Sequence, residues 1–395
     1  MAIKKINTKK LLKDNTMLIA LIAVMALFQI LIISADKGSL LAPANISNLI
    51  NQNAYVVILA VGMLLCILTG GNIDLSVGST VCLVGAVAGV LTVKLGLNIY
   101  LTIAICILLG IGLGAWQGYF IAYMRIPAFI VTLSGMLLFR GLANVILNGM
   151  TISPFPSNYL RLFTSYLPGS DASDAFKLIF TMTIGIVACI FLIYSTLRGR
   201  SNKVSKGYDV DPMNFTLMKI ALLSAVILWF ASLLGRHKGL PVVLIWLSVI
   251  VAIYSYFTSK TTYGRHFYAM GGNEKAAVLS GIDTNKILFS AYTNMGFLSA
   301  IAALVCVARF NSATPSAGNA YELDAIGACF VGGASAYGGT GTIAGSIIGA
   351  ILMGVLNNGM SILGIDANWQ KAVKGLVLLA AVLFDVMSKK KQSAK

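Results

Sequence analysis

With 395 residues, 58% of them hydrophobic and 11% charged, and a mean hydropathy of +0.86, the chain is too apolar for an ordinary water-soluble protein and too long for a single membrane anchor. A net charge of +16 would suggest nucleic acid in a soluble protein, but here the Lys and Arg residues gather between apolar runs, as in loops kept on the cytoplasmic side of a membrane. Six widely spaced cysteines, all in apolar runs, argue against a disulfide framework or zinc pattern, and the distant His237 and His266 argue against a metal site.

Apolar runs of about 18 to 24 residues, enough to cross a ~30 Å hydrocarbon layer, predict an all-α fold. The expectation is one polytopic transmembrane helical bundle over 1–395, with about 10–12 spans at the length each needs. The N-terminal segment 1–16 carries Lys4, Lys5, Lys9, Lys10 and Lys13 and reads as cytoplasmic. Met17 to Ala35 follows as a retained first span, since no clear small-residue cleavage site accompanies it. Further spans are predicted at Gln52 to Thr69, Val77 to Val93, Tyr100 to Tyr123 and Pro127 to Leu147. The loop Asn148 to Phe176, with Pro154, Pro156, Asp171 and Asp174 but only Arg161 as a basic residue, reads as external.

Leu178 to Leu197 returns inward to Arg198 to Thr216, whose Arg198, Arg200, Lys203 and Lys206 mark a cytoplasmic loop. Leu217 to Leu234 and Leu240 to Phe257 form a pair around a turn at Gly235 to Gly239. Residues 258–285 then form a polar, helix-capable segment stranded between apolar runs, which reads as a docking surface for a soluble partner. Lys286 to Ala308 crosses again. Beyond it Ala325 to Val331 is too short to span and runs into GGASAYGGTG, Gly332 to Gly341. Thr342 to Leu363 and Trp369 to Val386 complete the spans before a basic tail, 388–395, with Lys389, Lys390, Lys391 and Lys395. Two cytoplasmic ends require an even number of crossings.

Irregular backbone at membrane depth is tolerated where protein buries it or water lines it, so a short helix meeting a glycine-rich break reads either as a cavity or as tight helix packing. A similar interruption, LTGGNIDLSVGST at Leu68 to Thr80, occurs in the first half, and broken segments in matching positions point to a transport site. Charges inside spans are expensive and need explanation. Asp74 is expected to tie its break together like an N-cap or to contact substrate, and Arg140 to anchor an interhelical network or snorkel outward. Lys371 and Lys374 read as an interfacial pair.

No GxxxxGK[ST] motif occurs, so ATP dependence would have to come from another subunit. Glutamate is limited to Glu274 and Glu322, too few for an intramembrane proton relay. No catalytic residue and no metal ligand is assigned.

The run NEKAAVLSG, Asn273 to Gly281, resembles the cytoplasmic coupling motif of bacterial ABC importer permeases. Ala276, Ala277 and Gly281 match it, while Glu274 stands one place before the usual acidic position, here Lys275. Further blocks agree in order: GNIDLSVGS (Gly71 to Ser79), IPAFIVTL (Ile126 to Leu133), YELDAIGACFVGG (Tyr321 to Gly333), GVLNNGM (Gly354 to Met360) and WQKAVKGL (Trp369 to Leu376). Together they resemble the permeases of ribose, xylose and galactose uptake, and extra chain between about Tyr194 and Tyr256 is similar to the xylose or multiple-sugar subgroup.

The resemblance implies a permease in the bacterial cytoplasmic (inner) membrane, both termini cytoplasmic, acting as a homodimer with ATP-binding subunits and an extracytoplasmic sugar-binding protein. ATP and Mg would sit on the partner, with no cofactor on this chain and no nucleic acid involved. It implies a coupling set of Arg265, Gly272, Asn273, Glu274, Ala276, Ala277 and Gly281. A path for a neutral, hydroxyl-rich sugar needs hydroxyl, amide and aromatic groups. The candidates are Asn72, Asp74, Ser76, Ser79, Thr132, Ser335, Tyr337, Asn357 and Asn358, with helix packing as the competing role of each. An ATP-independent channel or secondary transporter for a small polar solute is the alternative, and a furanose signal molecule or nucleoside is an alternative cargo.

Overall fold

In hydrocarbon every backbone N–H and C=O must find a partner within the protein, so the apolar runs become helices, and the chain bends only where protein surrounds it. A computed structural model describes residues 16–169, 171–208, 210 and 212–393. The basic residues Lys4, Lys5, Lys9, Lys10 and Lys13, and Lys395 of the tail, lie outside the described residues.

The first half contains α1 (Thr16–Ser34), α2 (Pro43–Leu68), α3 (Val77–Gly89, continued by one π-helical turn, Val90–Lys94), α4 (Ile99–Ala122) and α5 (Ala128–Leu147). A connecting region follows, with α6 (Ser157–Thr164), β1 (Tyr166–Leu167), α7 (Asp174–Ser205), α8 (Met213–Gly235), β2 (Leu240–Pro241) and α9 (Val242–Lys260). The second half contains α10 (Thr262–Gly272), α11 (Glu274–Leu279), α12 (Thr284–Phe310), α13 (Tyr321–Val331), α14 (Ile343–Ile362) and α15 (Ala367–Ser393). Among the described residues 10 helices are long and apolar enough to cross a membrane.

The predicted spans match helices, with three differences of extent. The second begins at Pro43, well before Gln52, because its polar residues meet protein: Asn45 bonds to Asn358, Ser47 and Asn51 bond to Tyr166, and Asn53 lies against Gly354. The loop Asn148 to Phe176 contains α6, whose Tyr159 is buried and donates its hydroxyl to Leu304 O at 3.0 Å. Strand β1 pairs antiparallel with β2, matching Tyr166 to Pro241, so this loop is folded down on the turn between α8 and α9. The basic stretch from Arg198 begins as helix, since α7 continues to Ser205.

Burial divides the helices into an inner and an outer layer. In α2, 89% of the most apolar window is buried, and in α12 78%, against 17% in α1 and in α8. Small residues let the inner helices approach: a Cβ at Gly296 of α12 would lie 2.1 Å from the Gly110 carbonyl oxygen of α4. Here the tight-packing role of glycine holds.

The contacts also assign elements to the two ends of the bundle. Leu68, Arg125, Thr284 and Gly341 all neighbour α10 or α11. At the opposite end Ile152 bridges Ala313, and Lys37 donates to the Leu363 carbonyl at 2.8 Å. The loop 311–320 descends from that opposite end, and α13 completes the passage toward α10. Together they make one broken crossing in addition to the 10 long apolar helices. Met17 accordingly comes to 3.6 Å from a Cβ position built at Gly333, on the same end as α11.

Candidate functional site

The polar segment forms a two-helix elbow. Thr261 caps α10 by accepting from the Gly264 N–H at 2.9 Å, and Asn273 caps α11 by accepting from Ala276 N–H at 3.0 Å. At the far end of α11, Gly281 N–H donates to Val278 O at 2.9 Å and Ile282 N–H to Ala277 O at 3.0 Å, the paired bonds of a Schellman motif. That motif needs a left-handed residue, and Gly281 has φ +81° with open space around it. Asp283 starts α12 by accepting from the Lys286 N–H at 3.1 Å, a bond that holds its carboxyl below the ordinary carboxylate range.

Only Ala277 of α11 is buried; Glu274, Lys275 and Ala276 are exposed, and Leu279 at the tip is 89% exposed. Arg265 and Gly272 are exposed on the same elbow. The elbow is fastened to the loop after α4 by Arg125, whose Nη1 lies 2.7 Å from Glu274 Oε1 and whose Nη2 donates to Asn285 Oδ1 at 2.6 Å. In the sequence Arg125 is only a lone basic residue between two spans, so nothing local announces this role.

Behind the elbow the two glycine-rich breaks meet each other. Gly339 N–H donates to Leu68 O at 3.1 Å, and Tyr268 of α10 donates its hydroxyl to Gly341 O at 3.0 Å. A Cβ at Gly271 would lie 1.8 Å from Leu68 O and 2.4 Å from Gly339 N, and one at Gly71, φ +78°, would lie 2.1 Å from Ala336 O. Three backbones therefore touch without side chains between them: the end of α2, the second break and the end of α10. Tyr268 belongs to the segment that reads as a docking surface, but its hydroxyl points inward.

The candidate path residues fall into separate places. In the first break Asn72 donates to Thr69 O at 3.2 Å, while Asp74 Oδ1 accepts from Ser76 N–H at 2.8 Å and Ser76 Oγ at 2.7 Å. Ser76 Oγ in turn accepts from Gln117 Nε2 of α4 at 2.7 Å. Asp74 thus ties the break through Ser76, which is itself the residue preceding α3, so the carboxylate sits two positions before the N-cap place. In the second break Ser335 Oγ accepts from the Tyr337 N–H at 3.0 Å, and Tyr337 is 62% exposed. Ser79 and Thr132 are buried on the paired helices α3 and α5, the Thr132 hydroxyl bonding to Ala128 O of its own helix. Asn358 exchanges amide bonds with Asn45, and its neighbour Asn357 has a buried Oδ1 without a hydrogen-bond partner among the described residues. Asp74, Ser76, Ser79, Thr132, Ser335 and Asn358 are each at most 4% exposed, and of these Ser76 and Asn358 bond across to another helix.

A separate cavity of about 310 Å³ opens near the opposite end, lined by Val81, Ser312, Thr314, Ser316, Asn319 and Tyr321. Arg140 lies beside it and donates to the carbonyls of Pro315 and Ala317, so it anchors the descending loop. Of the lysine pair Lys371 is exposed, but Lys374 lies 2.8 Å from Asp324 Oδ1, with side chains 12% and 1% exposed, and is no interfacial residue. Tyr55 donates to the same carboxylate at 2.7 Å, and its ring stacks on Tyr321 at 3.8 Å. The partner of Lys374 is on a different helix, out of reach of any local pattern. Among the described residues no cluster of His, Cys, Asp and Glu could hold a metal ion.

A family model described as branched-chain amino acid transport system, permease component, matches residues 45–382. The chain is 38% identical over 375 residues to the xylose transport system permease protein XylH of Escherichia coli (strain K12), covering 95% of this chain and 92% of that protein. It is 39% identical over 376 residues to XylH of Haemophilus influenzae, covering 95% and 96%. It is 36% identical over 379 residues to the ribose import permease protein RbsC of Escherichia coli (strain K12), covering 96% and 95%. No solved structure matches the chain.

Proposed function

Because the chain belongs to this family of ABC transport-system permease components, we propose that it is the membrane subunit of an ATP-driven, binding-protein-dependent importer of monosaccharides, xylose or a related pentose or hexose. The observation that carries the reading is the elbow. A capped six-residue helix with an exposed apolar tip projects from one end of a membrane bundle, and its parent helix touches both glycine breaks through backbone. A push on Leu279, Val278 and Ala276 by an ATP-binding subunit would reach the breaks without passing through a flexible side chain. Arg265, Gly272, Asn273, Glu274, Ala277 and Gly281 shape that surface, and ATP hydrolysis belongs to the partner, so this chain is a non-catalytic transport subunit.

On this reading the α11 end is cytoplasmic, and both termini share it. Two copies of the chain would form the permease, and the sugar-binding protein would deliver from the opposite side. The cavity at that opposite end sets the hydroxyls of Ser312, Thr314, Ser316 and Tyr321 in a mostly apolar lining without fixed charge, a combination compatible with a neutral polyhydroxylated solute. Asn72, Asp74, Ser76 and Ser335 serve the breaks and Asn358 the contact of α2 with α14, while Ser79, Thr132, Tyr337 and Asn357 stay candidates for the path.

Gly281→Asp tests the docking role. A non-glycine residue at φ +81° costs about 1 kcal/mol and the new charge faces the docking surface. The expected outcome is normal insertion with loss of ATP-dependent xylose or ribose uptake and loss of the copurifying ATP-binding subunit. Unaltered uptake would remove α11 from coupling. Uptake that survives ATP depletion and collapses with an uncoupler would replace the reading by a secondary transporter.

A further inference from the structure

Helix α15 meets the half-helix α13 twice with polar groups. Near the start of α13, Lys374 lies 2.8 Å from Asp324 Oδ1 and donates to Oδ2 at 3.1 Å. Just past its end, Asp385 Oδ2 accepts from Ala336 N–H, in the second glycine break, at 3.1 Å. Lys374 and Asp385 are eleven residues apart on one helix, which is about three turns and ~16 Å, so the two side chains leave the same face. The half-helix is itself 11 residues long. The two contacts bracket Asp324 to Ala336, the last two turns of α13 and the start of the second break.

Between the contacts the two helices pack closely, but one side of their contact is open. An apolar cavity of about 490 Å³ lies among α1, α13, α14 and α15, lined by Val24, Phe330, Leu356, Val377 and Ala381, with Asp385 at its margin. Interdigitated apolar side chains normally fix where one helix sits on another, and a void forfeits those contacts. Here α13 packs closely on α2, α14 and α15, and the two polar contacts add directional fixings along α15. Both involve charged groups within an apolar bundle, a placement that costs free energy and persists where it has a specific role. Apolar residues at these sites would fill the space, but they would not fix a depth, because apolar contact is non-directional while an ion pair and a hydrogen bond are directional.

We propose that Lys374 and Asp385 are positioning residues: α15 grips the half-helix α13 at both ends and so sets the depth of the second glycine break against the coupling elbow. The grip adds to the backbone contact of α13 with α14, where a Cβ at Gly349 would lie 1.9 Å from Ala328 O. Tyr55, donating to Asp324 at 2.7 Å, ties the upper contact to α2, the helix whose end carries the first break. The lower contact holds Ala336, the residue whose carbonyl faces Gly71. A displacement of α15 along its axis would shift both, and with them the junction at Leu68 and Gly339. The role in transport rests on the importer reading, whereas the grip itself does not.

The test uses Cys329, which lies on α13 between the two contacts, is fully buried, and donates Sγ to Ala60 O at 3.2 Å. Cys106 on α4, equally buried and remote from α15, is the internal control. The full chain in native membrane vesicles is treated with N-ethylmaleimide, and labelling of each cysteine is followed by mass spectrometry in wild type, Asp385→Ala, Asp385→Asn and Lys374→Met. Local opening governs labelling of a buried thiol, so Asp385→Ala and Lys374→Met should raise the Cys329 rate about tenfold relative to Cys106. Asp385→Asn, which keeps an acceptor for Ala336 N–H, should label as wild type does. Unchanged Cys329 labelling in Asp385→Ala, equal labelling in the Asn and Ala variants, or an equal rise at Cys106 would each overturn the grip. In parallel, sugar taken up per ATP hydrolysed should fall in Asp385→Ala and be retained in Asp385→Asn. Absence of ATP-linked uptake in wild type would count against the importer reading alone, since the labelling still decides the grip.

Discussion

The two glycine-rich breaks look alike in sequence but are restrained differently. The first, Leu68 to Thr80, is closed from within and by its neighbour α4: Asn72 bonds to Thr69, Asp74 to Ser76, and Ser76 to Gln117. The second, Gly332 to Gly341, has short internal bonds such as Ser335 N–H to Thr340 O at 2.9 Å, but its outer hold comes from distant elements. Asp385 of α15 takes its Ala336 N–H, and Tyr268 of the elbow bonds to its Gly341 carbonyl. A segment closed by its own side chains resists displacement, whereas one held by other helices follows them. On the importer reading, motion of the elbow would reach both breaks through Gly271, and the second, with its outer hold on α15 and Tyr268, would follow it more readily.

The strongest way to break this contrast is at the contact between them. Gly271→Ala would place a methyl group 1.8 Å from Leu68 O, so backbone must shift, and ATP-dependent uptake should be lost while the protein still inserts. Gly112→Ala, on α4, meets nothing within 4 Å and should transport normally. Equal behaviour of the two variants in an uptake assay would show that the three backbones are not in contact during transport.

A smaller effect should separate the breaks by stability. Asp74→Ala leaves the buried Ser76 N–H and hydroxyl without their acceptor, a loss of about 1–3 kcal/mol that should lower the thermal unfolding midpoint in detergent. Asp74→Asn keeps an acceptor and should recover most of it. If Asp74→Ala instead kept wild-type stability and lost only transport, the carboxylate would be a substrate contact and the self-closed character of the first break would fail.

The smallest effect belongs to the elbow's outer fastening. The Arg125 and Glu274 side chains are 48% and 45% exposed, so this pair contributes no more than about 1 kcal/mol, and Arg125→Ala should leave the unfolding midpoint nearly unchanged. It should weaken retention of the ATP-binding subunit in raised salt, measured by copurification. An unfolding midpoint lowered as far as in Asp74→Ala would make Arg125 a structural anchor of the bundle.

Much of the elbow is legible in the sequence. Its caps and turn follow from Thr261, Asn273 and Gly281, because capping depends on residues within one turn of the helix end. Hydropathy locates the spans and both breaks. It misplaces the start of α2, because it reads Asn45, Ser47 and Asn51 as loop, although Asn45 bonds to Asn358, and Ser47 and Asn51 to Tyr166. It also misreads Lys374 as an interfacial residue, since Asp324 stands 50 positions away. The path candidates share one sequence property, a polar group inside a span, and buried helix-packing residues have that property too.

By itself the sequence determined the membrane class, the order of spans, the two breaks and the polar elbow, because apolar length, glycine content and helix caps are properties of contiguous residues. Only the tertiary structure decided that the breaks touch each other and the elbow, that Arg125 fastens α11, and that α15 carries both partners of α13. Those pairings depend on which helices are neighbours, and helix neighbours are chosen by packing over the whole bundle, not by any local stretch of chain.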